Sequence, residues 1–199
     1  RAGSMDLPAV AFRKAWNGST GLLFAGKTTD THQFFKDILA KNELSPSEGG
    51  IQKALQIWET FIKSELVPYP ESADTLKQFK GKGLKTGLIS NCYPDIPKVW
   101  KDCELGGLID YAVFSCVAGF QKPDKEIYDL ASKGLGVAPG ACFYIGNGYG
   151  RELWGATEAG MAAVLVDRNE PVFADFTWEG NTWEGLRIRN LSGAMGLIV

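Results

Sequence analysis

Apolar residues recur at three- and four-residue steps through the first third of the chain. Val10, Phe12, Ala15 and Trp16 form one stripe, Phe34, Phe35, Ile38 and Leu39 a second, and Ile51, Leu55, Trp58, Phe61 and Ile62 a third. This is the spacing of amphipathic helices. Ser45-Pro46-Ser47-Glu48 supplies start signals for the third helix, and Val67-Pro68-Tyr69-Pro70 ends it. Residues 5–67 therefore read as an all-helical domain. After Pro70 the pattern changes to short apolar runs alternating with helical stripes. It predicts strands at 84–89, 111–114, 142–145 and 162–166, and helices at 72–80, 124–135 and about 151–160. Gly81-Lys82-Gly83, Gly134 and Gly160 stand where those helices should end. Such β-α-β order over residues 68–199 predicts a doubly wound, Rossmann-like parallel sheet covered by helices, which binds ligands beyond the carboxyl ends of its strands.

Composition narrows the function. The 199 residues are 45% hydrophobic, enough for a sizeable core, and 21 Lys+Arg against 23 Asp+Glu leave a formal charge of −2. That balance offers no basic field for nucleic acid or an anionic membrane. Apolar stretches fall short of a membrane span, Arg1-Ala2-Gly3-Ser4 reads as a cloning remnant ahead of Met5, and no targeting signal is seen, so a cytoplasmic protein is expected. Four single cysteines, Cys92, Cys103, Cys116 and Cys142, have neither CxxC pairing nor a histidine at zinc-ligand spacing and read as reduced, buried thiols. The lone histidine, His32, reads as a residue of a solvated helix. Trp58, Trp100, Trp154 and Trp183 read as packing residues.

Candidate chemistry gathers at three strand ends. Ser90-Asn91 delivers a hydroxyl and an amide that can hydrogen-bond an anion, and Lys122, before Pro123 and Asp124, can neutralise a phosphate or carboxylate. The glycine-rich run Gly146-Asn147-Gly148-Tyr149-Gly150-Arg151-Glu152 leads into a helix and suits close approach to a ligand or ion. In order, Leu88-Ile89-Ser90-Asn91, then Lys122-Pro123-Asp124 to Tyr128, then Tyr144-Ile145-Gly146-Asn147 through Glu152-Leu153-Trp154-Gly155-Ala156 with Ala159-Gly160-Met161 resemble the haloacid dehalogenase (HAD) superfamily of hydrolases. The likeness is close from about Tyr69 to Val166, makes residues 5–67 a helical cap and Ile188 to Leu191 the last strand.

The resemblance implies a hydrolase of phosphatase or dehalogenase type, acting on a small phosphate ester or organic halide. Ser90, with Asn91, would bind the transferring group and Lys122 would offset charge on it, while Asn147, Gly148 and Tyr149 would line the substrate. The family's last motif holds Mg²⁺ with acidic residues. Here Asn147 replaces the expected Asp and Glu152 is the one acid left in the loop, so the ion is expected to be weakened.

The family's opening strand, ending in Asp-x-Asp-x-Thr and supplying the nucleophile, belongs before the cap, where only Met5 and Asp6 stand. A core without that first strand, impaired or inactive in hydrolysis, is the expectation, with unpaired edges that residues 21–25, residues 194–199 or another copy of the chain could fill. Two other readings stay open. One is a non-catalytic relative of this fold that binds a ligand or partner. The other is a nucleotide binder through Gly21-Leu22-Leu23-Phe24-Ala25-Gly26-Lys27-Thr28, which matches the P-loop pattern but follows a predicted helix, not a strand.

Overall fold

In the computed structural model the residues described are 30–45, 47–169 and 178–198. The stripe at residues 10–16, the P-loop-like run 21–28 and Met5-Asp6 lie outside them. The chain divides into two compact units.

The first unit holds, among described residues, 30–67 together with Asn91–Cys103 and Phe114–Gly119. Its helices are α1 (Thr31–Lys41) and α2 (Glu48–Glu65). Asp30 caps α1, its carboxylate accepting from the His32 and Gln33 amides, and the Ser47 hydroxyl accepts from Gly50 N–H at the start of α2. The predicted stripes meet across them, with Phe35, Leu39, Ile51 and Ala54 in one buried cluster. Short helices α4 (Ile96–Trp100) and α5 (Ser115–Ala118) belong to the same unit. Asp95 ties α4 to the helical pair: its Oδ2 accepts from Thr31 Oγ1 at 2.6 Å and Trp58 Nε1 at 2.8 Å.

The second unit carries α3 (Ser72–Gly81), β1 (Gly87–Ser90), most of β2 (Tyr111–Phe114), α6 (Lys125–Leu135), β3 (Phe143–Gly146), α7 (Glu152–Glu158), β4 (Ala162–Val166) and β5 (Leu186–Ile188). β3, β4 and β5 pair in parallel, with Gly146 opposite Leu165 and Val164 opposite Leu186. The middle strand's Val164 and Leu165 have no exposure, as a strand covered on both faces requires. β1 and β2 form a separate two-stranded sheet, so among described residues β1 and β3 are not hydrogen-bonded partners.

Three boundaries differ from the sequence reading. The last strand is Leu186–Ile188, earlier than 188–191, because Asn190 caps a 3-10 helix over Leu191–Leu197 through Gly193 N–H. That helix packs Ala194 against Leu76 and Phe79, so residues 194–197 do not form a strand. α6 runs through Gly134 to Leu135 and ends on Gly136 at φ 65°; Gly134 lies against the Tyr111 ring where a side chain would not fit. Trp154, expected to pack, is exposed, with the Arg151 guanidinium 4.2 Å from its ring centre. Among described residues no helix is long and apolar enough to cross a membrane.

Candidate active site

At the carboxyl end of β3 the chain turns through Gly146-Asn147-Gly148 and returns to start α7 at Glu152. Glu152, 3% exposed, points its carboxylate back beneath that turn. Its Oε1 accepts from Gly148 N–H at 2.9 Å, and its Oε2 accepts from Lys122 Nζ at 2.5 Å and Tyr144 Oη at 2.7 Å. A carboxylate removed from water needs such compensation, and an ammonium supplies most of it.

Lys122 also donates to Tyr144 Oη at 3.2 Å. Tyr128 donates its hydroxyl to the Glu152 backbone carbonyl at 2.8 Å and meets the Tyr144 ring edge-on at 5.3 Å. Burial, then the negative charge of Glu152, push both phenols up, Tyr144 well above its ordinary value. Both therefore stay protonated and donate. The Lys122 side chain is held at a fixed point, with 16% of it exposed.

Two glycines make the approach feasible. A Cβ on Gly146 would lie 2.8 Å from both Glu152 Cδ and Tyr144 Cε1. A Cβ on Gly155 would lie 2.6 Å from the Pro123 carbonyl oxygen and 2.8 Å from its Cβ. Bare backbone at Gly155 thus lets α7 close on the Lys122-Pro123 turn and bring Glu152 to the ammonium.

A second element holds the turn from its other side. Trp178 Nε1 donates to the Asn147 carbonyl at 2.9 Å, Glu179 N–H donates to the Gly148 carbonyl at 2.7 Å, and Tyr149 bridges to Trp178. The Glu179 carboxylate accepts from Leu153 N–H at 2.8 Å and Trp154 N–H at 3.0 Å, satisfying the first amides of α7.

Of the predicted site residues, Lys122, Asn147, Gly148, Tyr149 and Glu152 thus belong to one connected arrangement. Ser90 is the last residue of β1, and Asn91, just beyond it, groups with the first unit. Tyr144, Tyr128, Trp178 and Glu179 were not anticipated. A tyrosine inside the apolar run of β3 was the legible signal, since a buried phenol needs a partner for its hydroxyl. Nothing in the spacing of Glu179 announced its role.

Phosphatases of the HAD superfamily, which the sequence resembles, generally use Mg²⁺. The described residues do not fit it. Three of the four lone-pair positions of Glu152 are taken, one by an ammonium, and Asn147 offers an amide oxygen that accepts from Tyr149 N–H at 3.4 Å. Magnesium asks for near-octahedral oxygen donors including a carboxylate or two, and no group of three His, Cys, Asp or Glu among described residues is placed to hold a metal. What the arrangement provides is the Lys122 ammonium fixed beside a braced glycine-rich turn, a setting suited to an anionic group.

Comparison with known proteins agrees with this architecture. A glyceraldehyde 3-phosphate phosphatase of Methanothermobacter thermautotrophicus is 35% identical over 105 residues, 51% of this chain and 46% of that protein. A (S)-2-haloacid dehalogenase of Pseudomonas sp. strain YL is 29% identical over 130 residues, 62% of this chain and 53% of that protein. The chain spans about half the length of the curated relatives it matches. A crystal structure of 2-haloacid dehalogenase from Pseudomonas syringae pv. Tomato DC3000 shares the fold at TM-score 0.68 and 20% identity, covering 96% of this chain and 81% of that one. With the family's pattern matched over residues 13–160, well over half of its length, this chain belongs to the haloacid dehalogenase-like hydrolases.

Proposed function

We propose that the chain carries the anion-binding part of a HAD-type hydrolase site, phosphatase or dehalogenase in type, for a small phosphate ester or organic halide. The observation that carries this reading is the cation of Lys122, fixed between Glu152 and Tyr144 at a strand's carboxyl end. Phosphoryl transfer and displacement of halide from carbon depend on positioning and charge neutralisation around a nucleophile, and a half-buried lysine supplies the second. In this reading Ser90 and Asn91 hydrogen-bond the reacting group, while Asn147, Gly148 and Tyr149 border it. Ser90 and Lys122 position and neutralise without themselves attacking, and turnover in this reading is impaired or absent. The reading keeps the protein in the cytoplasm, with a small-molecule substrate and with a second copy able to complete the sheet.

A second reading, a non-catalytic binder on the same fold, is favoured by Asn147 in place of a carboxylate and by the three hydrogen bonds that already occupy Glu152. Release of product from an aryl phosphate and from 2-chloropropionate separates them, while inorganic phosphate binding by calorimetry tests the anion site they share. Both readings expect phosphate to bind and Lys122→Ala to weaken it about tenfold, the equivalent of about 1.4 kcal/mol. Brisk turnover by the unmodified chain, abolished in Lys122→Ala, would retire the non-catalytic reading. Unaltered phosphate binding in that variant would retire both.

A further inference from the structure

β1 and β2 are hydrogen-bonded neighbours, and a cysteine follows each after one intervening residue: Cys92 beyond Ser90-Asn91 and Cys116 beyond Phe114-Ser115. The two thiols touch, Sγ to Sγ 3.8 Å, with Cys92 5% and Cys116 1% exposed. The contact does not rest on side-chain rotamers alone. Cys92 N–H donates to the buried Ser115 hydroxyl at 3.1 Å, which fastens the backbone beside one thiol to the residue beside the other. Cys142, by contrast, spends its thiol on the Ala138 carbonyl at 3.4 Å.

Buried single cysteines behave as small apolar residues, but two thiols in contact can act as a two-electron couple. A disulfide needs its sulfurs about 2.05 Å apart, so closing this pair takes a movement of roughly 1.8 Å. The hydrogen bond from Cys92 draws the Cys116 thiol below its ordinary range despite burial and the nearby Asp95 carboxylate, which favours Cys116 as the attacking sulfur.

We propose that Cys92 and Cys116 are an oxidisable dithiol, converted by a small hydroperoxide into an intramolecular disulfide. Cys116 thiolate attacks one peroxide oxygen; the S–O bond forms, the O–O bond breaks, and the departing hydroxide leaves as water after taking a proton. Cys92 then attacks the sulfenic sulfur, the S–O bond breaks, and the second oxygen leaves as water with the Cys92 proton. The two sulfurs lose two electrons in all and the peroxide gains them. Contact between the thiols makes the second step intramolecular and fast. The oxidant reaches Cys116 by opening α5, which has four residues and carries Val117 at 71% exposure. The bridge closes a loop between residues 24 apart in sequence and pins the segment that leaves β1.

The experiment treats the folded chain with hydrogen peroxide, blocks remaining thiols in denaturant, and maps crosslinked peptides. The expected result is a loss of two of the four alkylatable thiols, with Cys92 linked to Cys116, reversed by dithiothreitol. Cys92→Ser and Cys116→Ser each lose the crosslink, and Cys103→Ser/Cys142→Ser keeps it. A crosslink mapped to any other pair, or four free thiols after peroxide treatment, overturns the proposal. Because serine variants could fail to fold, the unmodified chain is also titrated with phenylarsine oxide, which bridges adjacent dithiols. Protection of Cys92 and Cys116 from alkylation supports the pair, and protection of neither overturns it.

Discussion

Lys122 and Glu152 form an ion pair in which the acid is the more deeply buried partner, with 4% of its side chain exposed against 16% for the lysine. Removing the lysine strands a carboxylate with only Tyr144 and Gly148 to support it, whereas removing the acid leaves an ammonium able to reach water. Lys122→Met should therefore cost about 3–5 kcal/mol of unfolding free energy, and Glu152→Gln about 1–3 kcal/mol. Urea denaturation of both variants measures this, and the reverse ranking would show that the pair is not held together by the burial of Glu152.

Gly155 lies within α7, where helix propensity alone predicts that alanine would stabilise by about 1 kcal/mol. The Pro123 carbonyl 2.6 Å from the missing Cβ predicts the opposite sign. Gly155→Ala should destabilise by about 1–3 kcal/mol and weaken phosphate binding, because α7 must retreat from the Lys122-Pro123 turn. A stabilised variant would mean that the turn yields to the methyl group at no cost.

Much of this site was legible before the fold was known. Lys122 and the Gly146–Glu152 run stood out because parallel strands deliver their next residues to one end of a sheet, and short strands such as β2 and β4 have strong apolar runs. What fixes the Lys122 side chain in place was not legible. It depends on Tyr144 and Glu152, eight residues apart and on different elements, meeting on one ammonium. Nor was Glu179, because a cap supplied from 25 residues away obeys no local period. β5 was misplaced because Arg187 and Asn190 weaken the apolar signal, and only Asn190 acting as a cap shows where the strand must stop.

Glu179 satisfies two amides at the start of α7. Glu179→Ala should cost about 1 kcal/mol, as loss of a helix cap does. The sharper readout is local: the Leu153 and Trp154 amides should lose hydrogen-exchange protection ahead of the rest of α7. Unchanged exchange at those two amides would sink the capping role.

Asp110 gives a pH signature remote from the site. The Lys80 ammonium, then Thr86 N–H at 2.8 Å, hold its carboxyl below the ordinary carboxylate range. A value lower in the folded than in the unfolded chain contributes stability that is complete above the unfolded pKa and lost as pH falls through the folded one. With 35% of the Asp110 side chain exposed, screening keeps the contribution modest, so Asp110→Asn should cost about 1 kcal/mol near neutrality. The gap between the proteins should shrink below about pH 4 and narrow with added salt. A gap that ignores pH would assign the effect to packing.

Asn147→Asp tests the metal question directly. Asn147 occupies the position where relatives of this fold are expected to place a carboxylate, and its neighbour Glu152 is committed to Lys122, Tyr144 and Gly148. One new carboxylate adds both charge and a donor at the open side of the turn, so Mg²⁺ affinity should rise on the order of tenfold. Turnover of an aryl phosphate should not follow, since an ion that stabilises charge does not itself supply a nucleophile. Calorimetric Mg²⁺ titration of the two proteins, paired with the hydrolysis assay with and without the ion, separates the effects. Equal affinity in both would show that residue 147 is not the limiting donor, and turnover appearing with the new carboxylate would mean that the nucleophile was in place and only the ion was lacking.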